Sequence, residues 1–190
     1  MALSFVFARL LPVLLLVAPA LGVAQPSVAD ASLRQPNVLV ILRHASAPGL
    51  GDPPGFRIDD CRTQRNLDAA GRQQAVDLGA AWRRDGFRPT RVMSSAWCRC
   101  QETARLMDVG PVRVEPMLNS FFEAEGAART AQTERLSRFI DSLDPKGGPY
   151  LMVTHQVVIS ALTGHGARSA GGVAIELPLN GGQRRVRVLD

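Results

Sequence analysis

NVLVILRHA, residues 37–45, decides the fold. Its first six residues form an apolar run of strand length without alternation, the pattern of a strand buried on both faces of a parallel sheet. The run breaks at Arg43 and His44, which places two polar side chains at the strand's carboxyl end. The stretch that follows, 45–61, is rich in Gly, Pro and Asp and reads as a loop. A loop of that length in a compact domain is usually functional.

Downstream, the periodicity changes. Ala75, Leu78, Gly79 and Trp82 recur at helical spacing, predicting a helix from Leu67 to about Asp85 with Gly86 as its stop. RVMS (91–94) is a short strand, and Ala96–Met107 a second helix. Val112–Glu115 is a third strand, followed by a loop to about Gly126 and a helix over Thr133–Leu143. YLMVT (150–154) is another buried strand and ends in His155; a helix over 157–162 follows and stops at Gly164. Val173–Leu177 and Arg185–Val188 read as a terminal antiparallel pair. Strands alternating with helices predict a three-layer α/β/α domain with a mostly parallel central sheet. The two tryptophans, Trp82 and Trp97, read as packing residues.

Residues 1–24 stand apart. They carry Arg9 as their only charge, an apolar run from Leu10 to Val17, and small residues toward Ala24. This is the pattern of a secretory signal; Pro12 and Pro19 and the short run argue against a membrane anchor. Residues 25–36 read as a polar linker, and 37–190 as one domain. Loss of the signal would take the formal net charge from +5 to +4, since it removes one arginine. The arginines are scattered, with no basic run longer than two, so the charge fits small anionic substrates better than nucleic acid. Export to the periplasm or the medium would permit a disulfide. Cys98 and Cys100 are too close to pair readily, so Cys61 pairs with one of them and leaves a free thiol. Zinc is the weaker alternative, because a C-x-C without a nearby His is a poor tetrahedral set.

Ligands in open α/β sheets bind beyond the carboxyl ends of the strands. Arg43-His44, Ser94-Ser95 and His155 all occupy such ends, and Arg99 lies in the first turn of the following helix. The helix N-terminus near Ala96 adds N–H donors for an anion. One rim thus presents two histidines and two arginines, the makings of an anion-binding α/β enzyme. Two guanidiniums can grip phosphate oxygens and keep a nearby imidazole neutral. That set suits phosphoryl transfer through a phosphohistidine.

Four segments carry a resemblance: Leu42-Arg43-His44-Ala45; Leu67-x3-Gly71-x3-Ala75; Ser94-Ser95-x3-Arg99-x3-Thr103-Ala104; and Val153-Thr154-His155. In order and spacing they resemble the histidine phosphatase superfamily, the phosphoglycerate-mutase-like fold. CRTQRNL (61–67), WCRC (97–100) and THQVVISALTG (154–164) are similar to an exported branch that includes lipopolysaccharide core heptose-phosphate phosphatases. The resemblance implies His44 as nucleophile, Arg43 and Arg99 as the phosphate clamp, and His155 as a further phosphate ligand. It implies no metal and no cofactor. Ser95 and Arg65 are candidate substrate contacts; Arg57 and Arg62 are the other loop arginines that could read a second anionic group.

The chain departs from the pattern at the general acid. Leu118-Asn119 is followed by Ser120 where many members carry Glu, and His155 by Gln156 where another branch carries Asp. Glu123, then Glu125, are the nearest substitutes. The expected activity is hydrolysis of a phosphomonoester, a sugar or lipopolysaccharide phosphate among the candidates. The alternatives are a protein-phosphohistidine phosphatase, which can do without an acid, and a phosphate-binding module without turnover.

Overall fold

The computed structural model describes residues 31–124, 126–179 and 182–189. The signal segment, Glu125 and the first half of the predicted linker lie outside them. A six-stranded sheet runs in the order β3-β2-β4-β1-β5-β6. The strands are β1 (Val38–Arg43), β2 (Arg91–Ser94), β3 (Val112–Val114), β4 (Tyr150–Thr154), β5 (Gly172–Glu176) and β6 (Arg185–Leu189). β3, β2, β4 and β1 are parallel; β5 and β6 complete the sheet antiparallel. Four helices cover it: α1 (Ala69–Arg84), α2 (Cys98–Met107), α3 (Ala127–Asp141) and α4 (Gln156–Thr163). This is a three-layer α/β/α architecture with a mostly parallel central sheet. Among the described residues no helix is long and apolar enough to cross a membrane.

The pleat explains why NVLVIL does not alternate. Val38, Val40 and Leu42 face one core with Ala75, Leu78 and Trp82 of α1. Leu39 and Ile41 face the other with Leu136 and Ile140 of α3. Successive strand side chains point to opposite faces, so a strand covered on both sides must be apolar throughout.

Two glycines set how closely α1 packs on its neighbours. A Cβ on Gly71 would lie 1.9 Å from the Ser46 carbonyl oxygen, and one on Gly79 2.0 Å from that of Met107. Gly71 therefore lets the start of α1 press against the loop behind His44, and Gly79 lets α1 lie on the end of α2.

Several boundaries shift by one or two residues from the sequence expectation, and three differences are informative. α3 begins at Ala127, six residues before Thr133, because its first turns are exposed and give no apolar period. α2 begins at Cys98, with Trp97 as its N-cap residue. In the stretch read as linker, Ala31–Arg34 forms a 3-10 turn whose Leu33 is buried in the core; a lone leucine among polar residues carries no periodic signal.

Candidate functional site

Registry brings the strand ends together. Arg43 lies beside Thr154, and Ser94 beside Val153, across neighbouring parallel strands. The residues just beyond them, His44 and His155, meet edge to face with ring centroids 5.5 Å apart. Backbone bonds pin the turn: His44 N–H donates to the Thr154 carbonyl at 2.9 Å, and Ala45 N–H to Thr103 Oγ1 at 3.0 Å. The Ala45 bond ties α2 to the loop, and within α2 Thr103 donates in turn to the Arg99 carbonyl at 2.7 Å.

His44 is held in one tautomer. Its Nδ1 lies 2.8 Å from the Ala45 carbonyl oxygen. A carbonyl only accepts, so Nδ1 carries the proton and Nε2 keeps its lone pair. Burial pushes the His44 pKa down to about 3; the Ala45 hydrogen bond works against this, and the positive charges of Arg99, Arg43 and Arg65 add to it. His155 is driven the same way, first by burial and then by Arg99. Both imidazoles are therefore neutral at neutral pH.

Arg43, His44, Arg65, Arg99 and His155 line one cleft of about 500 Å3. Arg43 donates through Nη1 to the Ala167 carbonyl at 3.2 Å. Its Nε, like that of Arg99, is buried without a hydrogen-bond partner. Buried polar groups are normally satisfied, so two orphaned guanidinium N–H groups beside a neutral imidazole mark a place for an anion.

The remaining predicted residues fall as follows. Arg65 lines the cleft, but its guanidinium donates to the carbonyls of Gly51 (2.7 Å) and Ala47. Ser95 is fully buried and does not line the cleft; its Oγ lies 2.9 Å from His155 Nε2 and donates to Asn119 Oδ1 at 3.2 Å. Glu123 is exposed and lines the mouth of the cleft. Arg57 and Arg62 do not line it; both pair with Asp60. Cys61 and Cys98 form the disulfide, and Cys100 stays a free, buried thiol 3.4 Å from His155 Nε2. Burial pushes the Cys100 pKa up to about 12, so it is an inert packing group.

Two residues escaped the sequence reading. Asp52 grips Arg99, with Oδ1 2.8 Å from Nη1 and Oδ2 3.1 Å from Nη2. It also accepts from the Trp97 indole at 2.9 Å and from the Arg65 amide at 3.0 Å. Burial opposes its charge, yet these donors, Arg99 foremost, hold its pKa below the usual carboxylate value. Because both Nη nitrogens face Asp52, Arg99 keeps its Nε side for a ligand. Trp97, expected to pack, instead joins the cleft wall. The second missed residue is Asn119, whose Oδ1 also accepts from Ala96 N–H at 2.8 Å and so shapes the approach to α2. An aspartate inside a Gly/Pro-rich loop gives no signal until the loop is folded.

No family model and no curated protein matches the sequence. Solved structures do match its fold. The putative phosphohistidine phosphatase SixA from Agrobacterium tumefaciens is 21% identical, with 82% of this chain and 96% of that one covered and a TM-score of 0.53. Mycobacterial glucosyl-3-phosphoglycerate phosphatase, solved with VO3, is 18% identical over 80% and 97%, with a TM-score of 0.57. The α-ribazole phosphatase from Shigella flexneri is 21% identical over 80% and 95%, with a TM-score of 0.58. At such identities the likeness is one of fold.

Proposed function

We propose that this chain is a histidine phosphatase that hydrolyses phosphomonoesters through a phosphohistidine on His44. The observation that carries the reading is the neutral His44, its Nδ1 proton committed to Ala45, beside two guanidiniums with orphaned Nε–H groups. The likeness in fold to proteins named as phosphatases supports it.

In this reading, Arg43 and Arg99 hold the phosphoryl oxygens while His44 Nε2 attacks phosphorus. The bond from phosphorus to the alcohol oxygen breaks, and the alcohol leaves with a proton from Glu123, the carboxyl at the mouth. Water, passing a proton to the Glu123 carboxylate, then attacks the phosphohistidine, releasing inorganic phosphate and restoring neutral His44. The developing charge on the equatorial oxygens is met by preorganised guanidiniums, and such stabilisation supplies most of the catalysis in phosphoryl transfer. The pattern of residues 1–24 and the Cys61–Cys98 disulfide support action in the periplasm or the medium. A sugar or lipopolysaccharide phosphate, which the sequence resemblance implies, is one candidate substrate.

The test is rapid-quench trapping. Wild-type protein with a radiolabelled aryl phosphate should yield an acid-labile, base-stable phosphoprotein, and His44→Ala should yield neither label nor turnover. Turnover that survives in His44→Ala would sink the proposal; tight phosphate binding without turnover in the wild type would favour a binding module.

A second reading has its own support. Asp52 is held as a carboxylate, and Glu123 is exposed, so among the described residues that line the cleft no buried acid serves the leaving group. A phosphohistidine substrate, whose leaving imidazole needs little help, would suit that arrangement. Phosphoramidate hydrolysis indifferent to Glu123→Gln, alongside weak ester hydrolysis, would favour it.

A further inference from the structure

The cleft is larger than a phosphoryl group needs, and its outer walls are apolar. Phe56 and Trp97 form one side, with ring centroids 5.7 Å apart. Leu50 on one loop and Phe122 on the other stand at the mouth, 87% and 50% exposed. Large apolar side chains left that open around a pocket normally await an apolar partner.

Several polar groups of the outer cleft are already engaged. Gln132 donates to the carbonyls of Met117 and Asn119, at 3.1 and 2.7 Å. Gln156 bonds Ser160 and the Ala167 amide, and Ser120 Oγ accepts from Phe122 N–H. Among the described residues at the mouth, Glu123 is the one ionisable group. Among the described residues that line the cleft, no further free cation faces outward: Arg65 is bound to carbonyls, and Arg57 and Arg62 lie off the cleft. Sugar hydroxyls or a second phosphate would find few partners there.

We infer that the alcohol portion of the substrate is apolar, an alkyl or aryl group seated between Phe56–Trp97 and the Leu50–Phe122 rim. This rests on the phosphatase reading and narrows it: the phosphoryl end is gripped by charge, and the remainder is selected by burial. Trp97 joins the two halves, since its indole N–H holds Asp52 while its ring forms the apolar wall.

A homologous series tests this. Primary alkyl monophosphates from ethyl to hexyl have leaving groups of nearly constant acidity, so the trend in kcat/KM reports wall contact. It should rise by up to about fourfold per methylene, the gain from burying a CH2 group, and should pass glucose 6-phosphate and glycerol 3-phosphate. Leu50→Ser and Phe122→Ser should flatten the rise. Leu179→Ser, an exposed leucine off the cleft, should keep the wild-type slope. Turnover with a flat series, or a preference for the sugar phosphate, would overturn the inference and leave the phosphatase reading standing. A flat series together with dimerisation lost in Phe122→Ser would assign the rim to a second copy, which also overturns it. No hydrolysis of any ester would overturn both.

Discussion

Asp52 and Arg99 lie 47 residues apart and meet as a nearly dry ion pair, their side chains 7% and 3% exposed. The carboxylate takes the two Nη nitrogens of the guanidinium and so fixes its orientation in the cleft. An arginine held this way need not be ordered when a phosphoryl group arrives.

Removing one partner of such a pair leaves the other charged, buried and unmatched. Asp52→Ala should lower the unfolding free energy by about 3–5 kcal/mol, read from the urea midpoint, and should raise KM for a phosphomonoester. Asp52→Asn, which can still accept from Trp97 and the Arg65 amide, should cost less. A wild-type midpoint in Asp52→Ala would show that the pair does not hold the loop.

The depressed histidines make stability depend on pH. The unfolded chain protonates His44 near its ordinary value of 6.5, the folded one only at about 3. Between those values the unfolded state binds more protons, so stability from this group is fully present above 6.5 and falls as pH drops toward 3. His155 acts in the same direction. The urea midpoint should decline steadily from pH 7 to pH 4. Nitrogen NMR of the imidazoles should show His44 as the Nδ1–H tautomer through most of that window; protonation near pH 6.5 would contradict the burial argument.

The disulfide joins residues 37 apart and closes the segment that carries Arg65 and α1. By chain entropy, replacing both Cys61 and Cys98 with Ser should cost about 4 kcal/mol, measured as the loss in denaturant midpoint. An equal midpoint for wild type and double variant would contradict it.

Gly71→Ala tests the packing behind His44, the proposed nucleophile. The new methyl would meet the Ser46 carbonyl oxygen and force α1 away from the loop. A destabilisation of about 1–3 kcal/mol is expected, with a fall in kcat as the His44 turn shifts. A crystal structure of the variant with α1 unmoved would refute this.

Much of the architecture was legible in the sequence because its signals are local. The unbroken apolar run of β1 reports burial on two faces, and the periodic Ala75, Leu78 and Trp82 report one helix face. The same logic placed Arg43, His44, Arg99 and His155 at strand ends and helix starts, since an element's end is a local event. The disulfide was half legible: spacing excluded Cys98 with Cys100, but only folding selected Cys98 over Cys100.

What the sequence by itself determined is therefore the layered α/β fold and the rim on which the candidate chemistry stands. Tertiary structure alone decided that Asp52 would close on Arg99, that Ser95 would stand behind His155, and that Leu50 and Phe122 would frame one mouth. These residues sit in loops or turns without a period. Their partners are set by where the sheet brings distant chain segments, so no spacing rule reaches them.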